Sequence, residues 1–264
     1  MILFPGTKIN LGLRITEKRS DGFHNLQTVF YPINYSDILE VVPSDKFAFS
    51  SSGVVVPGKQ EDNLVIKAYN LMKKKYGLAA TKVHLHKVVP SGTGLGGGSA
   101  DAAAMVKLLN RLFELKLTEK QMEEDVSALG SDCAFFIRNR PAYGEGKGEL
   151  LQDIQLSLDD FQMLLVIPNL TVSTAQAYGQ CKPLMPEISV KEIVKMPVAK
   201  WKDHLTNDFE NLPLIPEEIH EIKQQLYDAG AEYASMSGSG SAVFALFKQQ
   251  SRIKLYEKHR IIWV

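Results

Sequence analysis

The chain has 264 residues, 45% of them hydrophobic, and its 30 basic and 30 acidic side chains cancel to a net charge of +0. That length supports one large domain or two small ones with ample core, and the composition excludes a disordered chain. Balanced charge removes any general pull toward nucleic acid and leaves only a local patch as a route to it.

Leu11, Leu13 and Ile15 alternate with Gly12, Arg14 and Thr16, which predicts an early strand. Ser20-Asp21-Gly22 marks a turn, and residues 37–42 and 47–49 read as further strands. Residues 63–76 place Leu64, Ala68, Leu71 and Met72 on one helix face, with Lys73, Lys74 and Lys75 at the negative end and Gly77 as the cap. Residues 81–89 alternate as a strand, and after a glycine run Ala102, Val106, Leu109, Leu112 and Phe113 recur at helical spacing. Thr118 and Gln121 form a capping box for a helix over residues 119–129, which Gly130 ends. A second set of elements opens at residues 161–167. Helices over 217–228 and 252–259 alternate there with strands near 231–236 and 242–247. Strands and helices that do not strictly alternate favour α+β over a doubly wound sheet, and the turn signals at 144–148 and 157–160 suggest a boundary near 152–160. Cys133 and Cys181 lack CxxC or CxH spacing and read as reduced thiols. Residues 1–6 lack a signal-segment pattern, and the longest apolar run, residues 163–168, is too short to span a bilayer, so a cytoplasmic protein with no membrane partner is expected.

The richest stretch is Pro90-Ser91-Gly92-Thr93-Gly94-Leu95-Gly96-Gly97-Gly98-Ser99-Ala100. Glycine lets a backbone take positive φ and approach a ligand closely, and the helix that follows aims free N–H groups and a positive dipole end at the loop. A phosphate site is therefore expected. The dinucleotide pattern G-x-G-x-x-G is matched, but Glu114 lies within a helix pattern rather than at the end of a strand. The Walker frame is nearly matched, except that Gly98 stands where its lysine belongs. The bland alternative, a turn joining strand to helix, needs only one or two glycines.

Three features in order then carry a resemblance: Pro5-Gly6-Thr7-Lys8-Ile9-Asn10-Leu11, the glycine loop, and a second glycine loop Met236-Ser237-Gly238-Ser239-Gly240-Ser241. Together they resemble the galactokinase, homoserine kinase, mevalonate kinase and phosphomevalonate kinase superfamily. Arg19-Ser20-Asp21-Gly22-Phe23-His24-Asn25-Leu26-Gln27-Thr28 and Gly130-Ser131-Asp132 are similar to its branch that phosphorylates 4-diphosphocytidyl-2-C-methyl-D-erythritol. The resemblance implies an ATP- and Mg2+-dependent small-molecule kinase with an α+β fold. An S5-domain-2-like, ATP-binding domain would span residues 1–155 and a ferredoxin-like, substrate-binding domain residues 156–264, with the site in the cleft between them. Oligomeric state stays open between a monomer and a weak homodimer, and the magnesium ligands stay unassigned.

By that resemblance Asp132 is the catalytic base and Lys8 its partner. The loop from Pro90 to Ala100 holds ATP phosphates through its N–H groups, with the Ser99 hydroxyl as a further donor. Asn63 and Lys87 lie near the nucleotide; their alternatives are a helix N-cap and a solvated strand lysine. Asn10 and His24 read the substrate's polar groups. Phe23, where the branch has tyrosine, stacks on the cytosine opposite Tyr178, with Thr174 near the diphosphate or ribose. Gly238 and Ser239 support the substrate from the second loop. For Asp132 the alternative is an ordinary N-cap, and for Tyr178 a core aromatic. His84 and His86 share a strand face with no third metal ligand in view, and a solvated face is preferred. Residues 144–149 read as a bent hairpin.

Overall fold

The structure, a computed structural model, describes residues 1–249 and 259–264. In chain order its elements are β1 (Ile2–Leu3), β2 (Gly6–Lys18), β3 (His24–Ser36), β4 (Ile38–Pro43), β5 (Ala48–Gly53), α1 (Leu64–Tyr76), β6 (Thr81–Lys87), α2 (Gly97–Leu112), α3 (Glu119–Ser127) and α4 (Cys133–Arg138). Then follow β7 (Ala142–Glu145), β8 (Leu150–Asp153), β9 (Gln162–Ile167), α5 (Thr174–Gln180), α6 (Val190–Ile193), α7 (Trp201–His204), α8 (Glu217–Asp228), β10 (Tyr233–Met236), β11 (Val243–Phe247) and β12 (Arg260–Trp263). The helix expected over residues 252–259 lies, up to residue 258, outside the described residues. Contacts gather the chain into two compact units. One holds residues 1–8, 32–91 and 96–140, the other residues 9–31, 92–95 and 141–264.

In the first unit a sheet of order β1-β4-β6-β5 carries the strand that leads into the glycine loop. β4 and β6 pair antiparallel from Ile38↔His86 to Pro43↔Thr81, and β5 joins β6 in parallel. Period two buries Val83 and Leu85 and turns His84 and His86 to the other face. There His84 hydrogen-bonds to Ser50 (2.8 Å) and Ser52 (2.9 Å), the solvated strand face expected. α1 starts where the Asn63 side chain accepts from Val65 N–H (2.9 Å) and stops at Gly77, whose φ of 66° needs a residue without Cβ. It buries Val65, Ala68, Tyr69 and Met72, while α2 buries Ala102, Met105, Val106 and Leu109. Each large apolar side chain so buried contributes about 1.5–3 kcal/mol. The capping box of Thr118 and Gln121 is present at the head of α3.

The second unit has two sheets, of order β2-β3-β7-β8 and β10-β11-β9-β12. In the latter, β9 lies between β11 and β12, antiparallel to both, so residues 260–263 find their partner within the chain. α8 turns Ile219, Ile222 and Leu226 into its core beside Val243 and Ala245. β7 and β8 form the hairpin expected around residues 144–149. Among the described residues no helix is long and apolar enough to cross a membrane.

Candidate active site

The glycine loop leaves β6 and alternates in hand. Gly92, Gly94 and Gly96 have φ of 72°, 76° and 72°, while Thr93 and Leu95 between them turn inward and are buried. Such alternation points successive N–H groups to one side and makes an anion-binding hollow. Gly96 is also the N-cap of α2, and no side chain caps that helix. The first N–H groups of α2 thus lie at the positive end of its dipole without a capping side chain. Close packing explains glycine at both helix-proximal positions. A Cβ at Gly96 would come within 2.8 Å of the Phe136 ring, and one at Gly97 within 3.1 Å of Val89.

Lys8 and Asp132 meet beside that helix start. Lys8 leaves β2 with its side chain 4% exposed, and its Nζ lies 3.4 Å from Asp132 Oδ2. Lys8 Cε is also 3.2 Å from the Cβ position of Gly96, so the ammonium stem runs along the loop. Asp132 sits at the N-cap of α4, yet its side chain makes no capping hydrogen bond. The ordinary reading of this residue therefore fails, and its half-buried carboxylate is turned to Lys8 instead. Asn63 is an N-cap, which commits its Oδ1 to Val65 N–H. Lys87 is not a solvated strand lysine. It is buried between Asp37 and Asp101, both of which the sequence left unmarked.

In the second unit, residues 92–95 pack on the second glycine loop. Ser237 Oγ donates to Gly94 O (3.0 Å), Ala242 N–H to Thr93 O (3.1 Å), and Asn10 N–H to Ser237 Oγ (3.3 Å). Asn10 is buried, and its Nδ2 donates to Thr28 Oγ1 (3.0 Å). The second loop is the turn between β10 and β11, the hairpin expected there. A residue without a motif holds it. The fully buried Asn207 donates from Nδ2 to Met236 O and Gly238 O, both at 2.8 Å, and accepts from Phe209 N–H (3.0 Å). The only sequence signal was a polar Asn207-Asp208 pair set between Leu205 and Phe209. Asn207→Ala orphans Gly238 O and Phe209 N–H and leaves Met236 O only the longer Ser235 Oγ bond (3.4 Å), with an expected loss of about 1–3 kcal/mol for each group left buried and unmet. Urea unfolding checks this; a change in midpoint stability below half a kcal/mol would mean water replaces the amide.

The same unit brings His24 and Tyr178 together, with ring centroids 5.5 Å apart and planes 23° from parallel. Tyr178 also meets the edge of Phe209 at 5.0 Å and packs against the core of this unit. Burial first, then the charge of Lys18, lowers the His24 imidazole from its usual range and keeps it neutral near pH 7. A neutral ring offers one donor and one acceptor, which suits a base edge. Phe23 is 56% exposed, its N–H bound to Asp21 (3.1 Å) and its ring beneath Lys147 Nζ at 4.7 Å. Thr174, on the first turn of α5, shares a hydrogen bond with Ser239 (2.7 Å).

The model for the GHMP kinases N terminal domain matches residues 63–140, and that for the GHMP kinases C terminal region matches residues 191–263. The 4-diphosphocytidyl-2-C-methyl-D-erythritol kinases of Bacteroides fragilis and Bacteroides thetaiotaomicron are each 51% identical to the chain over 96% of its length and 94% of theirs. A crystal structure of 4-(cytidine 5'-diphospho)-2C-methyl-D-erythritol kinase superposes with a TM-score of 0.79 at 29% identity, covering 93% of this chain and 90% of that one. The Methanococcus jannaschii mevalonate kinase, 11% identical with a TM-score of 0.71 over 100% of this chain and 97% of its own, shares the α+β fold. On these matches the chain belongs to the GHMP kinases and, within them, to the 4-diphosphocytidyl-2-C-methyl-D-erythritol kinases.

Proposed function

We infer that this kinase moves the γ-phosphoryl group of ATP to the 2-hydroxyl of 4-diphosphocytidyl-2-C-methyl-D-erythritol, giving the 2-phosphate and ADP in the non-mevalonate route to isoprenoid precursors. The observation that carries the chemistry is the Lys8–Asp132 pair beside an uncapped glycine-loop helix. The hydroxyl oxygen bonds to the γ-phosphorus, the bond to the ADP oxygen breaks, and the hydroxyl proton passes to Asp132. Phosphoryl transfer has a loose transition state, so Asp132 chiefly orients the hydroxyl and takes its proton late. Lys8 offsets charge on the transferred group, in place of the missing Walker lysine. The loop from Pro90 to Ala100 and Asn63 serve the nucleotide. Asn10, Phe23, His24, Thr174, Tyr178, Gly238 and Ser239 serve the acceptor.

Among the described residues no group of three or more His, Cys, Asp or Glu gathers into a metal cage. That donor set fits a Mg2+ carried on the triphosphate, which characteristically binds through phosphates and few protein oxygens. When bound, it neutralises phosphate charge.

The activity is tested by ADP release from ATP with 4-diphosphocytidyl-2-C-methyl-D-erythritol, run beside homoserine and mevalonate. Release with the cytidine compound alone supports the assignment; release with either simple alcohol overturns the acceptor. Tyr178→Ala tests the base pocket. Aromatic stacking on a base is worth about 1–3 kcal/mol, so the acceptor KM should rise roughly 5- to 150-fold while the ATP KM stays put. A rise in both would make Tyr178 a core residue only.

A further inference from the structure

Asp37, Lys87 and Asp101 are all buried, at 0%, 4% and 2% exposure. The Lys87 ammonium hydrogen-bonds to Asp37 and donates to Asp101 Oδ2 at 2.8 Å. Asp37 Oδ1 also accepts from the N–H groups of Val88 (2.6 Å) and Val89 (2.9 Å), the last residues before Pro90. Asp101 stands early in α2, the helix into which the glycine loop runs. Three charges therefore tie the chain entering the loop to the chain leaving it. Lys87 Nζ lies 3.5 Å from the Cβ position of Gly97, so the triad also touches the loop's own glycines.

Two carboxylates share one ammonium, which leaves an excess negative charge beside N–H groups meant for a polyanion. Among the described residues Asp101 Oδ1 has no hydrogen-bond partner. Burial drives the Asp101 carboxyl up to about 7; Lys87 opposes this, while the charge of Asp37 and its capacity to accept the proton add to the rise. Burial works against the charge on Lys87 too, but the two carboxylates outweigh it and hold its ammonium firmly protonated. The neighbouring elements turn largely apolar faces inward. Their buried charged and titratable groups include Tyr35 of β3, whose hydroxyl donates to Val88 O (2.8 Å), Lys8 of β2, Tyr69 of α1, Cys133 of α4, and Asp125 of α3, which is held by Lys75 and Tyr76.

We propose that Asp37, Lys87 and Asp101 form a clasp that positions the nucleotide loop, and that Asp101 takes up a proton as the triphosphate binds. The inference rests on the reading of that loop as the ATP site. A nearby polyanion favours the neutral form of a carboxyl, so binding raises the affinity of Asp101 for its proton. By linkage, nucleotide affinity is full below about pH 7 and falls above it by up to about tenfold per pH unit, until the bound-state titration is reached. Asp101→Asn fixes the neutral form and abolishes this slope.

The experiment is calorimetric titration of the full chain with Mg2+ and a non-hydrolysable ATP analogue at pH 8, in two buffers of unlike ionisation heat. Proton uptake is expected in the wild type, and less in Asp101→Asn by the same amount. In steady state the wild-type KM for ATP should climb relative to Asp101→Asn between pH 7 and 8.5, with the kcat ratio constant. Equal uptake in both proteins, or parallel KM profiles, overturns the proposal. Should Asp101→Asn fail to fold, the wild-type titration still decides, since the free nucleotide has lost its last proton at pH 8 and binding without uptake refutes the clasp's titration. Binding without uptake leaves the ATP site standing; absence of binding removes both readings.

Discussion

Asp132→Asn is expected to lower kcat by about 10²- to 10⁴-fold, the usual worth of a positioned general base. KM for ATP should change little, because in the proposed site the loop N–H groups and the start of α2, not this carboxylate, hold the phosphates. Stability should fall, because asparagine removes the charge that faces the buried Lys8 ammonium, but not through the helix. Asp132 occupies the N-cap of α4 without making the capping hydrogen bond, so asparagine loses no helix contact. The variant thus separates the two roles that the residue type allows. If Asp132 only capped a helix, asparagine, an equally good cap, would leave kcat untouched. A single-turnover measurement with saturating ATP and acceptor isolates the chemical step. A kcat within about threefold of wild type would move the base elsewhere and reduce Lys8–Asp132 to a structural ion pair.

What the sequence made legible was local. α8 follows from apolar spacing, and α3 from one Thr and one Gln three residues apart. The glycine loop showed itself by composition, but α2 begins at Gly97, inside the glycine run and ahead of Ala102, where the apolar spacing starts. β3 was missed, because Gln27, Thr28, Pro32 and Asn34 interrupt its alternation although seven of its thirteen residues are buried. Lys87 shows the wider limit. Period two on β6 puts it on the buried face of Val83 and Leu85, but nothing nearby reveals that Asp37 and Asp101 arrive from other elements to meet its charge. Asn207 and its two carbonyls are likewise far apart in the chain and carry no pattern of their own. Pairings made by the tertiary fold have no periodicity, so the supports of the site escaped a reading that found many of its candidate residues. Those candidates were found because the resemblance supplied roles that spacing does not.

Gly94→Ala should be the most damaging conservative change in the first glycine loop. Gly94 has φ of 76°, a region that costs an L-residue about 1–2 kcal/mol. An added Cβ would also fall 1.9 Å from Ser237 O, which is backbone and is itself held by Gly240 N–H at 3.0 Å. Relief requires the second glycine loop to move, and overpacking of that kind costs about 1–3 kcal/mol more. The sum, roughly 2–5 kcal/mol, is a large share of a typical folding free energy. Gly98→Ala gives the contrast. Gly98 lies inside α2 without positive φ, and a Cβ there would meet only Leu64 Cδ1, at an ordinary 3.6 Å. Alanine should stabilise that helix by about 0.5–1 kcal/mol. Two glycines four residues apart are thus expected to shift the urea midpoint in opposite directions. Equal tolerance at both would mean that the loop takes a backbone path other than this one. A folded Gly94→Ala that still binds ATP normally would show that the second loop yields without cost to the phosphate site.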